Sequence, residues 1–153
     1  MPIRVIRFRS IGRARPKGSY RARVDSSGRP YVTAANPEPL RSWDNQCRCD
    51  AIAAMREAGL DRPLTTACAL RVHFFFARPR SHYRTGKHST LLLDSAPRHS
   101  TTSPDLDKLL RCVGDSFSGV VYEDDRLLSE VCAKRSWTAG FSRACFCVTQ
   151  LHE

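Results

Sequence analysis

Residues 103–128 read SPDLDKLLRCVGDSFSGVVYEDDRLL, and the way this stretch divides into elements decides the fold of the chain. Ser103 followed by Pro104 reads as a helix start, with serine as cap and proline at the first helical position. From there Leu106, Leu109, Leu110, Val113 and Phe117 step by three and four, the buried stripe of an amphipathic helix. Asp107, Arg111 and Asp115 lie four apart along its opposite, polar face. Gly119 closes the helix. Two strands are expected after it, near 127–137 and 143–151.

Upstream, residues 3–9 read as a first strand. A Gly-, Pro- and Arg-rich segment follows, with a hairpin expected around Ser26, Ser27 and Gly28. Between 39 and 58 the residues Leu40, Trp43, Cys47, Ala51, Ala54, Met55 and Ala58 mark one face of a second helix, which Gly59 ends. Cys68, Leu70, Val72, Phe74 and Phe76 alternate strictly, as in a strand buried on one face. Residues 77–103 form a long connection with no sustained period, and loops of that length are usually functional or disordered. No internal repeat is visible. The expected fold is α+β, a mixed or antiparallel sheet with two main helices packed on it, in one domain spanning 1–153.

The chain carries a formal net charge of +10, unevenly placed. Nine basic residues lie in the first 29 positions against the single acid Asp25. A second group, Arg71, Arg78, Arg80, Arg84, Lys87 and Arg98, precedes the acidic stretch. Because 21 of the 25 basic residues are arginine, codon bias explains arginine over lysine, but it does not explain the excess charge. Clustered cations are the footprint of a phosphate-backbone binder. No apolar run approaches the roughly 20 residues of a membrane span, and the N-terminus lacks a signal peptide's apolar stretch. A soluble, intracellular protein is expected. Seven cysteines suit no disulfide framework, and neither Cys47-Arg-Cys49 nor Cys145-Phe-Cys147 has the two-residue gap of a zinc knuckle. Reduced, mostly buried thiols are expected.

In so basic a chain, the pairs Asp105 with Asp107 and Asp124 with Asp125 need explaining. Taken singly, each has a plain account: the first turn of a helix favours carboxylates by roughly 0.3–1 kcal/mol, and aspartate is common in turns. Their spacing suggests more. A helix over 104–118 is about 22 Å long at 1.5 Å per residue. An extended run from Gly119 to Asp125 covers about 20 Å at about 3.3 Å per residue. Doubling back, it would bring Asp125 beside Asp105 and Asp107, a hard-oxygen environment suited to Mg²⁺ or Mn²⁺. An acidic metal pocket on a basic surface implies metal-assisted phosphodiester hydrolysis.

The stretch resembles the core of the RusA-type Holliday junction resolvases, small Mg²⁺-dependent endonucleases of phages and prophages. Asp105 and Asp107 match that family's Asp-x-Asp, Asp115 with Gly119 its middle segment, and Asp125 the second Asp of its late pair. RARPKGSYR, NPEPLRSW and RPRSHYRTGKHSTLLLDSAP extend the likeness over most of the chain. Two positions depart from it. Lys108 stands where the family usually has Asn, and Arg111 takes the place of its catalytic lysine. Arginine keeps the charge but donates no proton at neutral pH: Arg111 substitutes if the family lysine only stabilises charge, and a proton-donor role, if that lysine has one, would fall to Lys108.

The resemblance implies a Mg²⁺-dependent homodimer that resolves four-way junctions, in the cytoplasm of a bacterial host. Asp105, Asp107 and Asp125 would bind metal, with Arg111 as the cation at the phosphate. Asp115 would have a lesser role, orienting Arg111. Lys17, Arg21, Arg78, Arg80, Arg84 and Lys87 are candidate DNA contacts by charge and position. The rivals are a flap- or fork-selective nuclease and a non-catalytic basic DNA-binding protein. The dimer interface falls either to the leucine-rich helix or to the last strands.

Overall fold

The computed structural model describes residues 3–17, 20–34 and 37–152, except the side chains of residues 20, 21, 32–34 and 37. Strand β1 (Val5–Ile11) opens the chain, and the hairpin β2 (Tyr20–Val24) with β3 (Pro30–Ala34) follows. Helix α1 (Pro37–Glu57), β4 (Cys68–Ala77), helix α2 (Leu106–Phe117), β5 (Leu128–Thr138) and β6 (Arg143–Gln150) complete it. The main sheet runs β1-β6-β4-β5. It is mixed: β6 pairs antiparallel with β1 and β4, while β5 pairs parallel with β4 at one edge. The fold is α+β, as the sequence pattern predicts.

Period-two alternation gives the sheet two unlike faces. Leu70, Val72, Phe74 and Phe76 of β4 point inward with Ile6, Ala144, Phe146 and Val148. Trp43, Cys47 and Ala51 of α1 and Leu109, Val113 and Phe117 of α2 close over them. Phe8, Phe117 and Phe146 meet with ring centroids 4.9–5.2 Å apart, holding the end of α2 on the sheet. Leu109, Val113 and Phe117 of the α2 stripe are thus spent on the core, with Leu106 and Leu110 partly buried against it.

Several details differ from the sequence reading. Helix α2 starts at Leu106, not Pro104, and its N-cap is Asp105 in an extended conformation (φ −69°, ψ 140°) rather than Ser103. Proline disfavours helical backbone at the residue before it, and Arg135 takes up the carbonyls of Thr102 and Pro104 ahead of the helix. Residues 77–103 are not featureless. Two short 3-10 turns (Arg80–His82 and Gly86–His88) are tied by Arg84 N to Leu91 O at 2.8 Å and Leu93 N to His82 O at 2.9 Å. The cysteines are all free but only partly buried: Cys47, Cys68 and Cys112 are enclosed, Cys145 and Cys147 half-buried, Cys49 and Cys132 exposed. Cys47 and Cys49 face opposite ways on α1, as the helical period requires. No helix among the described residues is long and apolar enough to cross a membrane.

Candidate active site

The N-terminal end of α2 carries two carboxylates of the acidic motif, Asp105 and Asp107. Asp105 occupies the N-cap position without a side-chain cap hydrogen bond, and Asp107 lies in the first turn, both exposed. Lys108 Nζ sits 2.9 Å from Asp105 Oδ2. That hydrogen bond, then the charges of Asp105 and Asp107, hold the ammonium above the ordinary lysine range, while Arg111 opposes them. Lys108 therefore stays protonated beside the carboxylates.

Arg135 of β5, which the sequence reading missed, fastens the chain leading into this end. It donates to Ser100 Oγ at 3.0 and 3.2 Å, to Thr102 O and to Pro104 O. Its guanidinium lies 5.1 Å from the Phe76 ring centroid, on which Arg13 also sits at 5.6 Å. Burial, helped by Arg13, lowers its pKa, and the Asp105 carboxylate opposes both. A signal existed in the sequence. Val131, Ala133, Arg135 and Trp137 share one parity of the strand, so Arg135 falls on the side facing α2, where a cation needs partners.

The middle of α2 holds a second polar group. Lys17 forms an ion pair with Asp115, and Lys17 N donates to Lys108 O at 3.2 Å, which lays the segment before β2 along the helix. Asp44 of α1 accepts from Ser116 Oγ, and Arg48 reaches Asp44 at 3.3 Å and Asp115 O at 3.5 Å. Asp115 thus pairs with Lys17, and Arg111 is exposed one turn away.

Beyond α2 the chain does not run back extended from Gly119 to Asp125: it turns over residues 119–122, with Gly119 N donating to Tyr122 O at 2.8 Å and Val121 N to Phe117 O at 2.9 Å. Gly119 turns it with φ +76°, a conformation open to glycine. The buried Tyr122 hydroxyl donates to Gly114 O at 2.9 Å. Burial, then the charge of Asp125, pushes the phenol above its usual range. Asp124 caps a 3-10 turn (Asp125–Leu127) by accepting from Arg126 N at 3.0 Å. Among the described residues no three His, Cys, Asp or Glu side chains stand close enough together to hold a metal ion. Asp105, Asp107 and Asp125 therefore do not form a closed cage. By donor type the end of α2 does fit a hard divalent cation, since magnesium keeps several waters and takes one or two carboxylates.

Of the candidate DNA contacts, Arg78 donates to Pro97 O at 2.9 Å, and Arg84 pairs with Asp94 at 3.1 Å. Arg80 and Lys87 are exposed in the 3-10 turns, beside a cleft of about 750 Å³ that Arg80, Tyr83 and Arg84 line. Arg21 lies in β2, and its side chain falls outside the described residues.

No curated protein matches the chain. The family model described as Endodeoxyribonuclease RusA matches residues 14–143, from the basic segment before β2 to the start of β6. That span takes in Asp105, Asp107, Arg111, Asp115 and Asp125 in the order and spacing set out above. The chain belongs to the RusA family of endodeoxyribonucleases, whose activity is on Holliday junction DNA.

Proposed function

We propose that the protein is a Mg²⁺-dependent nuclease that resolves four-way junctions by paired phosphodiester hydrolysis, acting as a homodimer in a bacterial cytoplasm, encoded by phage or prophage. The observation that carries this reading is the end of α2, where two exposed carboxylates stand beside a protonated lysine. Asp105 and Asp107 would hold the ion, with Asp125 as the third carboxylate that the family pattern supplies. Mg²⁺ or Mn²⁺ would polarise the phosphate and lower the pKa of a water. The chain's own groups do the rest. Arg111 places a permanent cation against the phosphate oxygens. Lys108 Nζ, held protonated by Asp105, is the proton donor for the leaving oxygen, which compensates for arginine in the family lysine's place. Arg135 fixes the backbone that aims Asp105. Paired cuts require two sites, and a two-fold dimer presents two identical ones.

The test is a nicking assay on a labelled four-way junction beside linear duplex and flap DNA, with and without Mg²⁺. Symmetric, Mg²⁺-dependent nicks confined to the junction support the reading. Preferential flap cutting replaces it with a flap nuclease, and binding without cutting under either Mg²⁺ or Mn²⁺ replaces it with a DNA-binding protein.

A further inference from the structure

The sheet has an outer face that neither helix covers. Strand register assembles it row by row. Arg9, Cys145, His73 and Lys134 lie side by side in one row, and Arg7, Cys147, Arg71 and Cys132 in the next. Arg143 adds a further cation, 4.2 Å from the Phe75 ring centroid, and the His73 ring stacks on Phe75 at 3.8 Å. Arg7, Arg9, Arg71 and Lys134 are exposed and make no ion pair among the described residues. Among the described residues of these strands, Glu130 is the one acid on this face, and it lies at the margin. At strand spacings of about 5 Å and steps of about 7 Å per two residues, the two rows spread about 14 by 7 Å.

We propose that this outer sheet face is a second DNA-binding surface, which grips the phosphate backbone of a junction arm as it passes from the α2 site around the β5 edge. The inference rests on the reading that the substrate is branched DNA. Two observations carry it. The first is charge: a field of unpaired cations fits a polyanion and repels a second copy of itself. The second is continuity. β5 is the edge strand, and its neighbours Lys134 and Arg135 point to opposite sides. Arg135 holds the segment carrying Asp105, while Lys134 belongs to the outer field, so a backbone leaving one meets the other. Backbone contacts of this kind hold DNA in position without reading its sequence.

The thiols provide the assay. Exposed Cys132 lies within the field, and exposed Cys49 lies on α1, across the sheet from it. A maleimide labels the full-length protein in chelator, alone or with a four-way junction, and the label at each cysteine is read by mass spectrometry. With junction at about ten times its Kd, mass action leaves about a tenth of the protein free, so Cys132 labelling slows about tenfold. Cys49 labelling is unchanged. Junction binding that leaves Cys132 labelling at its free rate overturns the proposal and leaves the nuclease reading intact. Protection that grows with protein concentration in the absence of DNA assigns the face to a second copy and also overturns it. Failure to bind a junction at all sinks the branched-DNA reading, and this inference with it. In a second measurement, the triple variant Arg7→Ala/Arg71→Ala/Lys134→Ala lowers the slope of log affinity against log salt by about 2–3, at about 0.9 for each phosphate no longer neutralised. An unchanged slope in a folded variant contradicts the proposal.

Discussion

Two arginines serve the end of α2 in different ways, and each can be removed singly. Arg111 is exposed, and in its proposed role it acts on the phosphate rather than on the core, so Arg111→Ala should leave folding and junction affinity nearly unchanged. Its cutting rate should fall about 10²–10³-fold, the usual effect of losing one group that stabilises developing charge. Single-turnover rates at saturating protein check this. Arg135 is different, because it serves four acceptor contacts from one half-buried fork. Arg135→Ala should destabilise the protein by about 1.5–3 kcal/mol in urea unfolding, the range for hydrogen bonds to a charged group. Arg135→Lys should not restore that stability, since an ammonium cannot span the same carbonyls. On the outer sheet face, His73 offers a pH test. Burial, Lys134 and Arg143 lower its pKa from 6.5, so the unfolded chain binds its proton first as pH falls. Its contribution to stability is therefore present above the unfolded pKa and lost below it. The wild-type Tm should drop more steeply than that of His73→Gln between about pH 7 and about pH 5.

At the scale of elements, periodicity was readable and capping was not. Both helices, the β4 alternation and the Ser26–Gly28 turn follow from apolar spacing and turn residues, which local physics dictates. The start of α2 was misplaced by two residues because Ser103-Pro104 satisfies local cap chemistry, while the actual start depends on Arg135, some thirty residues later in the chain. The carboxylates were legible as a motif, but their separation was not, since the chain turns over residues 119–122 instead of running extended to Asp125. Among the clearest element-level tests is Phe117→Ala. The ring is fully buried against Phe8 and Phe146, and its loss should cost about 3–5 kcal/mol by urea denaturation. Gly59 ends α1 at φ +69°, so Gly59→Ala should cost about 1–2 kcal/mol in the same experiment.

For the whole molecule, most acids near α2 are paired with cations, while the outer sheet face carries cations that make no ion pair among the described residues. Asp105 and Asp107 stand at one helix end, while the excess positive charge spreads over the loop after β4 and the open sheet face. Net charge was legible from composition, but which cations share a face depends on register, and that is why Arg7, Arg9, Arg71 and Lys134 went unassigned from sequence. A divalent ion at the acidic end would let a polyanion approach both regions at once. The most direct test of the central claim is a Mg²⁺ titration of junction cleavage by wild type and by Asp107→Asn, with junction binding measured in parallel. The account predicts paired symmetric nicks that rise with Mg²⁺ in the wild type, and a variant that binds the junction and cuts none. Equal cleavage by Asp107→Asn, or wild-type cleavage that persists in chelator, would contradict it.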